Sequence, residues 1–306
     1  MKYVRCSRAP ILAEPRLCKE HFIAYFEEKA RGTIRRFKLL GKDERVVVAA
    51  SGGKDSTVVL FLLKRLGYDV IALAIDEGIV SYRNRTLTDL KKFCKKNRIP
   101  LKIIGFKDNY GETLDAILHN NPQLHPCTIC GTFRRQLLNK HAKGFDVIAT
   151  GHNADDEAQS VLMNLCRANM DLFFRGGPLT TSRGAGFVRR VKPLYFCTEK
   201  ETLLYALLNG LAPSFNECPY ARRSYRASVR DLLNSYEAKN PGTKMKILRH
   251  YLAVKKRLPP QRSTTIPCAS CGEPSHDGRC KACRLVEEIG SVGITIKNRA
   301  AHSAHR

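Results

Sequence analysis

Ser51-Gly52-Gly53-Lys54-Asp55-Ser56 is the stretch of this 306-residue chain with the plainest chemical meaning. It follows the apolar run Arg45 to Ala50 and leads into a segment whose Val58, Leu62, Leu63 and Leu66 recur at helical spacing. A strand that turns through two glycines into a helix makes an anion cradle. Glycine lets the backbone approach closely, and the N–H groups of the first helical turn face the anion. The loop is not a Walker A motif, because Lys54 is followed by Asp55 and Val48 stands where the first glycine belongs. It also lacks the third glycine of a dinucleotide fingerprint. The bland alternative, a plain glycine-rich turn, does not account for Ser51, Lys54, Asp55 and Ser56 arriving together.

The cysteines form the second group. There are twelve, and in a chain whose N-terminus lacks the apolar run of a secretion signal they point to metal or redox chemistry before disulfides. Cys268-x2-Cys271-x8-Cys280-x2-Cys283 has the spacing of two knuckles closing on one tetrahedral zinc ion. Closed coordination leaves no place for substrate, so the expected role is fold stability. Cys127-Thr128-Ile129-Cys130, by itself, fits zinc, a redox pair or a cluster ligand equally well. Cys94, Cys166 and Cys197 stand singly and read as small buried side chains.

Charge narrows the partners. Lys and Arg number 53 against 28 Asp and Glu, a formal net charge of +25. That surplus repels itself unless a polyanion shares it, nucleic acid being the first expectation and an anionic membrane surface the second. From Arg222 to Arg262 there are 12 basic and 2 acidic residues, which reads as nucleic-acid contact or as a solvated helix surface. Arg279, Lys281 and Arg284 of the cysteine module are expected to face RNA. Hydrophobic residues make up 43%, enough for a real core. The longest apolar runs, such as Val46 to Ala50, are too short to cross a bilayer, so no membrane partner is expected.

These residues must be positioned by the elements around them. A helix pattern runs from Lys19 to Lys38, with Phe22, Tyr25, Phe26, Ala30 and Ile34 on one face, and Gly41-Lys42-Asp43 breaks it. Arg45 to Ala50, Val70 to Ile75, Leu101 to Phe106 and Asp146 to Thr150 read as strands. Tyr82 to Asn97, Thr128 to Ala142 and Ala154 to Asn169 read as the helices between and after them. Continuous apolar strands alternating with helices predict an α/β fold with a doubly wound parallel sheet covered on both faces. In such sheets ligands bind beyond the carboxyl ends of the strands. The conspicuous polar stretches lie there: Ser51 to Ser56, Asp76-Glu77-Gly78 and Gly151-His152-Asn153. Arg175 to Gly186 reads as a mobile loop. Glu199 to Asn209, Ser228 to Tyr236 and Gly242 to Leu258 read as helices, and Pro259-Pro260 marks a boundary. The expected organisation is a small module and helix over 1–40, a catalytic domain over 41–258 with a basic helical end, a zinc ribbon over 259–290 and a polar tail over 291–306.

Ser51 to Ser56 resembles the SGGxDS motif of the ATP pyrophosphatases, whose loop holds the β- and γ-phosphates. Gly151-His152-Asn153-Ala154-Asp155-Asp156 is similar to the second signature of the branch that thiolates tRNA. Asp76-Glu77-Gly78-Ile79 and the helix Glu157 to Asn169 resemble the archaeal and eukaryotic cytosolic tRNA 2-thiouridine synthetases, and the likeness spans nearly the whole chain. The resemblance implies an adenine nucleotide alpha hydrolase-like PP-loop domain with small terminal zinc-finger-like modules, ATP as substrate, tRNA as partner and a cytoplasmic location. It places ATP on Ser51, Gly52, Gly53, Lys54, Asp55, Ser56, Ile75, Arg134, Gly151 and Asp156. It also implies a 4Fe-4S cluster on Cys127, Cys130 and Cys218, the last lying in Glu217-Cys218-Pro219-Tyr220; half of a structural zinc site and a persulfide relay between free cysteines are the alternatives. Asp55 and Asp156 are then suited to Mg2+, with Asp155 as the other carboxylate, and Lys54 offsets phosphate charge. Arg134 and Arg135 are expected to clamp phosphate or RNA, or to form a solvated helix face. His152 is expected to stabilise its turn. At the N-terminus the family closes a zinc site with Cys-x2-Cys and Cys-x2-His. Cys6, Cys18 and His21 fill three of these places while Tyr3 holds the first, so a weakened or metal-free module is expected.

The expected reaction is adenylation of a uridine C2 oxygen and its replacement by sulfur, with the wobble uridine as the target. Thiolation of the T-loop uridine, thiolation of an anticodon-loop cytidine, and a non-catalytic zinc-ribbon RNA binder are the alternatives. Free sulfide or a ubiquitin-like thiocarboxylate carrier is the expected sulfur donor, and the family suggests a homodimer.

Overall fold

Five short strands lie parallel, side by side, four of them apolar runs, and determine the architecture. In the computed structural model, which describes residues 8–12, 15–180, 186–211, 217–221, 224–257 and 264–290, the chain opens with helix α1 (Lys19–Phe37). There follow β1 (Arg45–Ala49), α2 (Lys54–Arg65), β2 (Asp69–Asp76), α3 (Arg83–Lys96), β3 (Leu101–Gly105), α4 (Phe106–Tyr110) and α5 (Leu114–Asn120). Then come α6 (Pro126–His141), β4 (Val147–Ala149), α7 (Ala154–Cys166), α8 (Met170–Arg175), β5 (Leu179–Thr180), β6 (Arg189–Val191) and α9 (Glu199–Leu208). The last elements are α10 (Tyr225–Lys239), α11 (Thr243–Arg257), β7 (Ile266–Pro267), β8 (Pro274–Ser275) and α12 (Lys281–Gly290).

The main sheet has the order β3-β2-β1-β4-β6-β5 and is parallel except for the antiparallel edge strand β5. Alternation along each strand divides its side chains between two cores. Val46 and Val48 of β1, with Ala72 and Ala74 of β2 and Val147 and Ala149 of β4, join α1, α2 and α9 on one face. Val47, Leu73, Ile75 and Ile148 join α4, α5, α6 and α12 on the other. A third cluster binds α7 and α8 to α10 and α11 through Ala158, Phe173, Leu233, Leu248 and Tyr251.

Helix α1 forms because Phe22, Phe26, Ala30 and Ile34 repeat every four residues and are all buried. It stops at Lys38, whose φ of 48° places it in the left-handed region that ends helices. Two later helices start with reciprocal capping boxes, Asn153 with Asp156 on α7 and Thr198 with Glu201 on α9.

The doubly wound parallel sheet follows the expectation, with corrections in detail. The segment read as one helix to Asn169 ends at Cys166; Ala168 takes a φ of 49° and Asn169 caps the separate α8. The segment from Arg175 to Gly186 is not simply a loop, because Leu179 and Thr180 pair with Val191 and Arg190; residues 181–185 lie outside the described part. Cys94 and Cys197 are buried as expected, whereas Cys166 is exposed at the end of α7. Among the described residues no helix is long and apolar enough to cross a membrane.

Candidate active site

Strands β1 and β4 are neighbours, and the chain goes on from β1 to β2 on one flank and from β4 toward β6 on the other. That reversal opens a crevice at their carboxyl ends. Ser51 to Ser56 lines it from one strand and Gly151 to Asp156 from the other. Gly52 has a φ of 81°, and a Cβ there would sit 2.3 Å from the Thr86 carbonyl oxygen. Gly151 is equally constrained: its Cβ would lie 2.7 Å from the Ser56 nitrogen. Inside the loop, Ser56 Oγ accepts from the Ser51 N–H at 3.2 Å and donates to the Gly53 carbonyl at 3.1 Å. Gly53 begins α2 with no side chain capping it, so the first helical turn directs its donors and positive dipole end into the crevice.

Gly52→Ala is expected to cost about 2–4 kcal/mol of stability, from left-handed backbone strain plus the clash with the α3 backbone. Urea unfolding measures it, and a loss below about 1 kcal/mol contradicts the contact.

Charged side chains converge on this loop. Lys54 Nζ lies 3.0 Å from Asp55 Oδ2 and 2.8 Å from Glu199 Oε1. Asn153 Nδ2 donates to Asp55 Oδ1 at 3.1 Å, joining the two signature loops. Burial pushes the Asp55 carboxyl above its ordinary range; Lys54 opposes this, while the charge of Asp156 adds to it. Asp156 is raised by burial too, against the pull of Arg226 at 3.7 Å. Two partly buried carboxyls that disfavour each other's ionisation are a donor set a divalent cation relieves. Asp155 points elsewhere. It accepts from Lys244 Nζ at 2.5 Å and from the Glu199 N–H at 2.7 Å, anchoring α11 and the start of α9. His152 Nδ1 lies 2.9 Å from Thr150 Oγ1, a contact within its own turn.

A buried ion pair links the phosphate loop to the cysteines. Glu77, 5% exposed, meets Arg83 Nε at 2.8 Å and Arg134 Nη1 at 3.7 Å. Arg83, 2% exposed, also donates to the Ser51 and Ile75 carbonyls. Arg134 lies one turn beyond Cys130 on α6, and Cys127 sits in the first turn of that helix. Cys218 is held opposite by its own turn, in which Tyr220 Oη donates to Asp115 Oδ1 at 2.7 Å. Cys130 and Cys218 pack against the same apolar cluster; the charge of Cys127 raises both thiols and Arg134 lowers both. Burial dominates at Cys130 and pushes its thiol up to about 11. Among the described residues only the C-terminal cysteines bring their ligand atoms within 4.8 Å of one another. Cys127, Cys130 and Cys218 do not form such a group.

Cys268, Cys271, Cys280 and Cys283 converge as their spacing predicts. Cys271 and Cys280 Sγ are 3.6 Å apart, against the edge of about 3.8 Å that a tetrahedron with zinc–sulfur bonds near 2.3 Å requires. The Cys280 N–H donates to Cys268 Sγ at 3.3 Å and the Cys283 N–H to Cys280 Sγ at 3.4 Å. Helix α6 grips this ribbon. Gln136 Nε2 donates to Cys271 Sγ at 3.4 Å, and Asn139 Nδ2 to Glu273 Oε2 at 2.7 Å. Arg279 and Arg284 form ion pairs with Glu287 and Asp277 within the ribbon. Cys280→Ser is expected to lower the melting temperature and to make Cys127 and Cys130 more reactive toward an alkylating reagent, because the ribbon and those thiols share α6. Unchanged melting and unchanged alkylation contradict that coupling.

At the N-terminus Cys18 Sγ lies 3.4 Å from His21 Nδ1; Tyr3 and Cys6 fall outside the described residues. Glu77, Arg83, Glu199 and Lys244 were not assigned roles by sequence reasoning. No local signal marks the burial of Arg83.

Fold and site together define an α/β protein whose phosphate loop is tied through Arg83, Glu77 and Arg134 to the helix that carries Cys127 and Cys130. The chain belongs to the PP-loop domain family, whose model matches residues 26–237. It is 42% identical over 273 residues to the tRNA-5-methyluridine(54) 2-sulfurtransferase of Pyrococcus horikoshii, covering 88% of this chain and 87% of that protein. It is 39% identical over 311 residues to the cytoplasmic tRNA 2-thiolation protein 1 of Drosophila ananassae, covering 96% and 91%. Among solved structures it is similar to the U34-tRNA thiolase NcsA from Methanococcus maripaludis with its [4Fe-4S] cluster. That match has a TM-score of 0.79 and 32% identity, covering 94% of this chain and 97% of that one.

Proposed function

We propose that this protein is an ATP-dependent tRNA 2-thiolase acting on the wobble uridine. The observation that carries the reading is the Glu77–Arg83 pair, which with Arg134 ties the phosphate loop to the helix of Cys127 and Cys130. Nucleotide activation and sulfur transfer require those two sites side by side. A uracil C2 carbonyl is a poor electrophile because oxide is a prohibitive leaving group. Attack of that oxygen on the α-phosphorus of ATP expels pyrophosphate and makes the oxygen part of AMP. Sulfur then adds at C2 and AMP departs with the oxygen.

In this scheme the α2 N-terminus and Lys54 hold the phosphates, with Lys54 exchanging its contacts to Asp55 and Glu199 for phosphate oxygens. Asp55 and Asp156 would hold Mg2+ and screen the phosphate charge, Ile75 and Gly151 border the nucleotide, and Arg134, beside Glu77, is placed to reach its phosphates. Cys127, Cys130 and Cys218 would hold the cluster, which would supply a binding position for sulfur at an iron that the chain leaves without a ligand. The donor is sulfide or a thiocarboxylate carrier, the setting the cytoplasm and the assembly a homodimer.

The T-loop uridine is the second reading, favoured by the name of the Pyrococcus relative. Mass spectrometry of tRNA nucleosides from cells lacking the protein, with the position mapped, separates the two. Loss of 2-thiouridine at position 34 supports the first reading and loss at position 54 the second. Unchanged thiolation at both overturns the function.

A further inference from the structure

A groove of about 380 Å3 opens between α1 and α11, and none of its lining residues belongs to the phosphate loop or the thiol pocket. Lys29, Arg36 and Arg249 line it, and no carboxylate does. Lys29 is committed, with Nζ 2.7 Å from Glu201 Oε1. The acidic residues of α1 near it are also engaged: Glu28 with Arg31 and Arg35, Glu27 with Arg65. Among the described residues, Arg36 and Arg249 have no carboxylate within ion-pair distance. Arg36 is stacked over Phe37 and Phe196, its guanidinium carbon 5.2 and 5.9 Å from the ring centroids. Stacking fixes the plane of the fork while leaving its N–H edges available. Between the walls, Gly32 leaves open space where a Cβ would meet nothing within 4 Å.

We propose that this groove is a second contact for the RNA substrate, binding backbone phosphates between Arg36 and Arg249 while the target nucleotide occupies the crevice. The inference rests on the tRNA reading above and adds a place to it. Two guanidiniums on separate helices without acidic partners match phosphate, which accepts bidentate hydrogen bonds and neutralises both charges. Phosphate contacts fix register rather than sequence, and this groove is rigidly registered to the reaction centre. Tyr25 and Lys29 in its wall hold Glu201, the cap of α9, whose first residue Glu199 meets Lys54. From the other wall, Lys244 of α11 holds Asp155. RNA lying in the groove is therefore held at a set distance from the phosphate loop.

The test uses the full chain carrying Arg36→Glu, Arg249→Glu or both, with the exposed α3 change Lys91→Glu as control. Unmodified tRNA is titrated at several salt concentrations. Each groove reversal is expected to weaken binding about tenfold and to lower the salt slope by about one, while Arg249→Lys keeps most of the affinity. ATP affinity by calorimetry stays at the wild-type value. Wild-type tRNA affinity and slope in the double variant overturn the proposal, as does affinity loss accompanied by dissociation of a dimer in sedimentation, which makes the groove a contact between copies. Wild-type protein that fails to bind tRNA instead overturns the functional reading itself, a failure visible before any variant is made.

Discussion

Cys218→Ser is expected to abolish RNA thiolation and to bleach the visible iron–sulfur absorbance, while leaving ATP binding intact. Cys218 is the one thiol of the pocket that does not come from α6, so it closes the pocket from the side. Serine keeps the volume but not the soft thiolate that iron–sulfur clusters require. A loss above about a hundredfold is expected, since even outer partners of metal ligands reach that scale. Anaerobic purification, iron analysis and nucleoside mass spectrometry read it. A colourless variant with full thiolation activity removes the cluster from the mechanism. A brown variant with full activity removes Cys218 from the ligand set.

The adjacent carboxylates give the second contrast. Asp156→Asn is expected to lower adenylation about 10²–10³-fold, the scale of one oriented electrostatic group, and to leave the melting temperature almost unchanged. Asparagine retains an oxygen for the capping box with Asn153. Asp155→Asn should do the reverse. It leaves Lys244, only 8% exposed, without its counter-charge, and a broken buried pair costs about 3–5 kcal/mol. Pyrophosphate release with tRNA present and thermal denaturation, measured on both variants, distinguish the roles. If Asp155→Asn loses turnover at full stability while Asp156→Asn stays active, the assignment of metal ligand and anchor is inverted.

Much of the crevice could be read in advance because its signals are local. Ser51 to Ser56 carries its strand, its glycines and its helix start within a few positions, and the C-terminal cysteines carry their tetrahedron in their spacing. Harder features depend on tertiary context. Strand β6 reads Arg189-Arg190-Val191, with no apolar run to announce it; it pairs because β4 offers an edge. Helices α4 and α5 have only 5 and 7 residues, too short for periodicity to emerge. Arg83 and Lys244 look like surface cations in sequence. Their burial follows from Glu77 and Asp155, partners 6 and 89 positions away, which no local pattern connects. The grouping of Cys218 with Cys127 and Cys130 is likewise invisible to local patterns and comes in sequence only through the family likeness.

At Gly52 against Thr86, and at Gly151 against Ser56, main chain touches main chain with no space for a side chain between. Those positions offer selection nothing to vary, so the inner walls of the crevice are frozen. Retuning which nucleotide or base enters must begin at the outer rim, where Arg134 and Arg226 present replaceable groups, and engineered libraries should be drawn there.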